Sequence, residues 1–154
     1  ASTRDKRGRT ESHGKDYYFL SQEEFRQKIE DEAFIEWEEV YTGNYYGTLK
    51  EEVQRIWDEG RHVVFDVEVK GAQKLKEYFG EHALAVFVKV PSMEELAKRL
   101  KGRGTESAES LSQRLYRAEF EMAFENKFDV TLVNEYVEES FAMAESLVNE
   151  FLNQ

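Results

Sequence analysis

The sequence predicts an α/β fold built on a parallel sheet, with a smaller β-rich region beside it. Two runs, "HVVFDVEV" (62–69) and "ALAVFVKV" (83–90), are rich in β-branched and aromatic residues and read as buried strands. "DVTLV" (129–133) is a third, shorter one, and helical patterns at 70–79, 107–126 and 137–152 lie between and after them. Strand, helix, strand, helix places helices on the faces of a parallel sheet. The segment 34–48 differs: "FIEWEEVY" and "NYYG" read as short antiparallel strands.

The helix starts are marked. "SQEE" (21–24), "TLKE" (48–51) and "SMEE" (92–95) each set a hydroxyl three residues before a glutamate, the capping-box spacing. They predict helices over 22–31, 49–59 and 93–101, with Gly60 and Gly102 as C-terminal stops. In the last helix Val137, Phe141, Leu147, Val148 and Phe151 mark one apolar face. No internal repeat is found.

Composition excludes several classes. A chain of 154 residues with 40% hydrophobic and 14% aromatic residues is long enough for one globular domain. One proline leaves little room for a linker. A net charge of −11 argues against nucleic-acid or anionic-membrane binding. Yet "ASTRDKRGR" (1–9) carries Arg4, Lys6, Arg7 and Arg9 against Asp5, and a local anion is the simplest reason for that cluster. The absence of cysteine fits a reducing cytoplasm, and no apolar run reaches membrane-span length. No signal peptide is recognisable.

Three stretches suggest a site. In "GNYYGT" (43–48) one tyrosine must face away from whatever the other packs on, because strand side chains alternate. The glycines permit a tight turn and the close approach of a ligand. An ordinary hairpin and a phenol-lined ligand site both satisfy it. Asp66 ends the apolar run 63–65, near the rim where parallel sheets bind ligands. "RLKGRG" (99–104) sets Arg99 and Arg103 four apart on a helix end, and Arg114 follows on the next helix. A phosphate clamp and a solvated face paired to Glu94, Glu95 or Glu106 both fit these arginines.

Ordered blocks along the whole chain decide between these readings. "STRDKR", "DYYFLSQEEF", "FIEWEEVYTGNYYGT", "VVFDVEVKGA", "VPSMEELAKRLKGRGT" and "FDVTLVNE" together closely resemble the guanylate kinase family. The resemblance implies a nucleoside-monophosphate-kinase-like core with a parallel sheet, a small β-rich GMP-binding subdomain (about 16–48) and an arginine-bearing helical lid within 93–126. Residues 61–92 and 127–154 would form the core of a single domain, and the subdomain and lid would close over it when substrates bind. The implied activity moves the γ-phosphoryl of ATP to GMP, with Mg2+ as metal and dGMP as an alternative acceptor. Carried over by position, Arg4, Arg7, Tyr17 and Tyr46 correspond to GMP-phosphate ligands, Glu36 to the guanine reader and Thr48 to the hydroxyl facing guanine O6. Asp66 corresponds to a carboxylate near GMP and the metal, Arg99, Arg103 and Arg114 to the lid clamp, and Asn134 to the ATP adenine side; Arg99 and Arg103 would also touch ATP. Thr48 also suits a helix N-cap.

The sequence departs from the family pattern in places. One residue is extra between Arg7 and Tyr17, Thr42 extends the loop before Tyr46, and Glu68 and Glu135 stand where aspartate is usual. The phosphate-cradling pattern G-x-x-x-x-G-K-[ST] is not matched: Gly14-Lys15 is followed by Asp16, and Arg9 stands five before Gly14. The expectation is therefore a loop of that kind upstream of Ala1, with no turnover from these residues without it. The rival reading is a catalytically silent domain of the same family that binds phosphorylated protein partners through the GMP pocket.

Overall fold

Phenylalanines at 25 and 34 and leucine at 49 are separated in sequence, and burying them together brings a helix onto a hairpin. In the computed structural model, which describes residues 1–5, 10–104 and 107–154, these three side chains form one core, with Phe25 only 1% exposed. Its ring stacks on Phe34 with centroids 4.5 Å apart. Burying a side chain of that size stabilises by about 1.5–3 kcal/mol. The helix is α1 (Gln22–Glu30), and the predicted capping box is complete: Glu24 N–H donates to Ser21 Oγ and Ser21 N–H to the Glu24 carboxylate. The hairpin is β1 (Phe34–Tyr41) and β2 (Asn44–Leu49), antiparallel and turned through Gly43 at φ 80°.

The described chain divides into two units, Ala1–Ala83 and Leu84–Gln154. In the first, α2 (Lys50–Asp58) leaves β2 directly and α3 (Val69–Phe79) packs on β1. The main chain of residues 1–3 bridges β2 to the segment 17–20, through Thr3 N–H to Tyr45 O and Ser2 N–H to Tyr18 O, both 3.0 Å. Ser2 is fully buried by this.

In the second unit β3 (Val86–Lys89) pairs in parallel with β4 (Val130–Val133), in register from Val86 opposite Val130 to Lys89 opposite Val133. The ladder ends with Asn134 N–H on Lys89 O at 2.7 Å. Helices α4 (Met93–Gly102) and α5 (Ala108–Met122) pack together, and α6 (Val137–Leu152) packs on β4. Ser92 caps α4 by accepting from Glu95 N–H at 3.1 Å.

Several expectations need correction. Residues 61–68 form no ladder among the described residues, so the strand predicted at 62–69 is not observed there. Burial still alternates with period two, Val63, Phe65 and Val67 half-buried and Val64 90% exposed, as in an extended chain lacking a hydrogen-bonded neighbour. Thr48 does not cap α2: Leu49 holds that position, and the Thr48 hydroxyl bonds elsewhere. Gly60, at φ 71°, does follow α2, but Gly102 is still helical and the left-handed residue after α4 is Gly104, at φ 65°. The apolar face expected on α6 is substantially exposed at Val137, Phe141 and Val148, and the residue that α6 buries is Ser140.

Candidate functional site

Strand alternation sorts the hairpin residues into two sets. Register pairs Glu36 with Thr48, Glu38 with Tyr46 and Glu39 with Tyr45. Tyr45 packs against the Phe25 core, its centroid 5.6 Å from that ring, so Tyr46 belongs to the opposite face with Thr48 and Glu36. The same division recurs in "DYYF": Tyr18 donates its hydroxyl to Glu52 of α2 at 2.8 Å, whereas Tyr17 meets Tyr46 edge-on at 6.1 Å. The second glycine of "GNYYGT" has a packing role. A Cβ on Gly47 would stand 2.7 Å from the Phe34 ring and 3.1 Å from Phe25, so its missing side chain makes room for aromatic rings and not for a ligand.

Glu36 is the buried carboxylate of this face, 7% exposed. Burial pushes its pKa above the ordinary glutamate range, against the opposing effect of the Thr48 hydroxyl, which donates to Oε1 at 2.8 Å. A desolvated carboxylate on a rigid strand, with a hydroxyl beside it, offers two acceptor oxygens and one rotatable O–H.

Arg4, Tyr17 and Tyr46 form a second cluster in this unit. The Arg4 guanidinium lies 4.9 Å from the Tyr17 ring centre and 5.6 Å from that of Phe19. It donates two bonds to the Glu11 carboxylate, 2.8 and 2.7 Å, and one to Asp5 O. The Glu11 bond is the main cause that raises the Arg4 pKa, with smaller contributions from Tyr46 and Tyr17. A carboxylate held in a bidentate fork is the arrangement that a phosphate would also satisfy. Glu11, Phe19 and Gly71 escaped the sequence reading. Gly71 lies under Glu36: its absent Cβ would fall 2.9 Å from Oε2. Arg7 lies outside the described residues.

In the second unit Arg99 and Asn134 come together. Arg99 donates to Asn134 O at 2.8 Å and Glu135 O at 3.2 Å, and its Nε pairs with Glu95 at 2.8 Å. The ion pair anticipated for a solvated face therefore exists, alongside contacts to the loop after β4. Arg103 is exposed at the C-cap of α4, and Arg114 is half-buried on α5. Asp66 is exposed, in the segment before α3 that lacks a ladder. Among the described residues no group of three or more carboxylates or histidines forms a metal cage, and no helix is long and apolar enough to cross a membrane.

Comparison with known proteins identifies the family of the chain. The family model described as guanylate kinase matches residues 1–151. A guanylate kinase of Bacteroides thetaiotaomicron is 48% identical over 154 residues, covering 100% of this chain and 75% of that protein. One of Porphyromonas gingivalis is 52% identical over 135 residues, 88% of this chain and 71% of the relative. The crystal structure of guanylate kinase from Anaplasma phagocytophilum superposes with a TM-score of 0.78 at 33% identity, covering 97% of this chain and 72% of that one. The α/β elements described above are those of that fold, and the chain belongs to the guanylate kinase family.

Proposed function

We propose that this protein transfers the γ-phosphoryl group of ATP to GMP, giving ADP and GDP. The observation that carries the reading is the single hairpin face holding Glu36, Thr48 and Tyr46, with Arg4 and Tyr17 beside it. Thr48 and Tyr46 are two residues apart, about 7 Å along the strand, a spacing that a purine and its 5′-phosphate can bridge. Guanine presents N1–H and N2–H side by side, and the Glu36 carboxylate accepts both. The Thr48 hydroxyl, bonded to Glu36 in the free protein, turns its hydrogen to guanine O6. Adenine carries an acceptor at N1 and would leave the buried carboxylate unpaired, which rejects it.

At the other end of the ligand, Arg4 and the Tyr17 and Tyr46 hydroxyls hold the phosphate, with Arg7 as a further ligand. A phosphate oxygen of GMP attacks the γ-phosphorus of ATP, and the bond from that phosphorus to the bridging oxygen breaks, releasing ADP. Arg99, Arg103 and Arg114, in the lid region 93–126, balance charge on the transferring group, and Asn134 faces the adenine of ATP. The region 16–48 then serves as the GMP-binding part, with 61–92 and 127–154 as core.

Mg2+ commonly binds through one or two carboxylates plus substrate phosphates, and the exposed Asp66 carboxylate fits that mode. When bound, the ion neutralises phosphate charge. A location in the cytoplasm accords with both substrates being soluble nucleotides.

The test is a coupled assay of ADP formation by the full-length protein with GMP, dGMP, AMP and CMP as acceptors. Turnover with GMP far above AMP is expected. Binding of a phosphorylated peptide with no transfer to any nucleotide overturns the reading in favour of a silent binding module.

A further inference from the structure

The geometry points to Gly71 as a positioning residue for the Glu36 carboxylate, and so as a determinant of base selectivity; this inference rests on the guanine-reading role proposed above. Gly71 is the third residue of α3 and is buried. A Cβ built there would stand 2.9 Å from Glu36 Oε2, 3.4 Å from Cδ and 3.5 Å from Val67 Cβ. Contacts below 3.0 Å do not persist, so one group must move. The helix backbone and Val67 restrict Cβ, leaving the carboxylate to shift. Its other oxygen is held by Thr48 at 2.8 Å on the strand directly opposite. The carboxylate is thus held between a hydroxyl on β2 and a glycine on α3, and any displacement from Gly71 turns both acceptor oxygens away from the base edge. Nothing in the backbone demands glycine here, because Gly71 is not among the residues with positive φ. Alanine is the better helix residue at an ordinary position, so the requirement comes from the space above it.

The experiment uses the full-length protein as Gly71→Ala, Glu36→Asp, the double variant and Glu36→Gln. Affinities for GMP and for inosine 5′-monophosphate, which lacks only the 2-amino group, are measured by calorimetry, with thermal melting alongside. Gly71→Ala is expected to lower GMP affinity by roughly 10- to 100-fold, the scale for a misplacement near 1 Å, and to shrink the preference for GMP over the inosine nucleotide. Its melting temperature stays near that of the parent. Aspartate at 36 withdraws the carboxylate by one methylene, so Gly71→Ala should cost almost nothing in that background. Equal losses in both backgrounds, unchanged discrimination in Gly71→Ala, or a melting drop shared by both backgrounds would overturn the inference. Full GMP preference in Glu36→Gln would instead remove the guanine-reading role itself.

Discussion

On the proposed function, the hairpin that would read the base and the arginine region solve opposite electrostatic problems. Glu36 is nine-tenths withdrawn from solvent and already bonded to Thr48, so the cost of desolvating its charge is incurred on folding. Arg103 is exposed, and Arg99 is committed to Glu95 and the carbonyls of residues 134 and 135. A group that must discriminate between bases gains from being fixed and dry before the ligand arrives. Groups that must answer charge appearing only during transfer gain from remaining hydrated and locally paired until then. On that proposal the groups for specificity stand ready in the free protein, and those for catalysis much less so.

The sharpest way to break this contrast is to remove one of the arginines proposed to form the lid. Arg103→Ala in the full-length enzyme should lower turnover by about 10³-fold or more while GMP affinity shifts little, by steady-state kinetics and calorimetry. Comparable losses in both would mean that this region captures GMP.

Next comes Glu36→Gln, which should cost about 2–4 kcal/mol of preference for GMP over AMP, roughly 30- to 1000-fold. The stability effect has the opposite sense. Folding raises the Glu36 pKa by burial, so the charged form is disfavoured in the folded state above that pKa. The penalty begins to shrink as pH falls below the raised value and is gone below the ordinary glutamate range, and glutamine abolishes it throughout, so the neutral-pH melting temperature should not fall. In the parent protein, acidification should erode the GMP-over-AMP preference beginning above the ordinary glutamate range of about 4.3. A preference independent of pH down to that range would sink the pKa argument.

A smaller effect separates packing from binding on the same hairpin. Gly47→Ala should destabilise by about 1–3 kcal/mol, because its Cβ meets the Phe34 and Phe25 rings. Melting checks this, and no loss would mean that the rings have room to move. Smallest is Tyr46→Phe, expected to weaken GMP by about 1 kcal/mol and leave guanosine unaffected; equal weakening of both ligands would detach Tyr46 from the phosphate.

Local rules read much of this molecule correctly. The Ser21 capping box, the Ser92 cap, the 34–48 hairpin and the division of its two tyrosines between opposite faces all follow from chemistry within a few residues. Failures arose where a partner distant in sequence decides. The apolar run 62–69 has strand composition but lacks a described neighbour, and composition cannot supply a ladder. Thr48 suits two roles locally, helix cap and hydroxyl donor, and its pairing with Glu36 across the hairpin removes the first. Glu11 sits in an unpatterned loop, so nothing local ties it to Arg4. Gly71 looks like any residue near a helix start, because its significance lies in a side chain thirty-five positions earlier. The phosphate and base roles proposed for the hairpin are legible through family resemblance, not through periodicity.

Trp37 gives the hairpin a built-in optical reporter. It follows Glu36 on β1, points to the other face and is 39% exposed. Its ring lies 6.2 Å from Tyr45 and 6.0 Å from the Lys74 ammonium, which also bonds the Trp37 carbonyl at 3.1 Å. A strand displaced by an arriving base would alter both neighbours at once, changing emission wavelength and quenching without any attached dye. The second tryptophan, Trp57, sits on α2 against Phe79. Replacing it with phenylalanine would leave a chain whose ultraviolet emission follows the strand proposed to read the nucleotide.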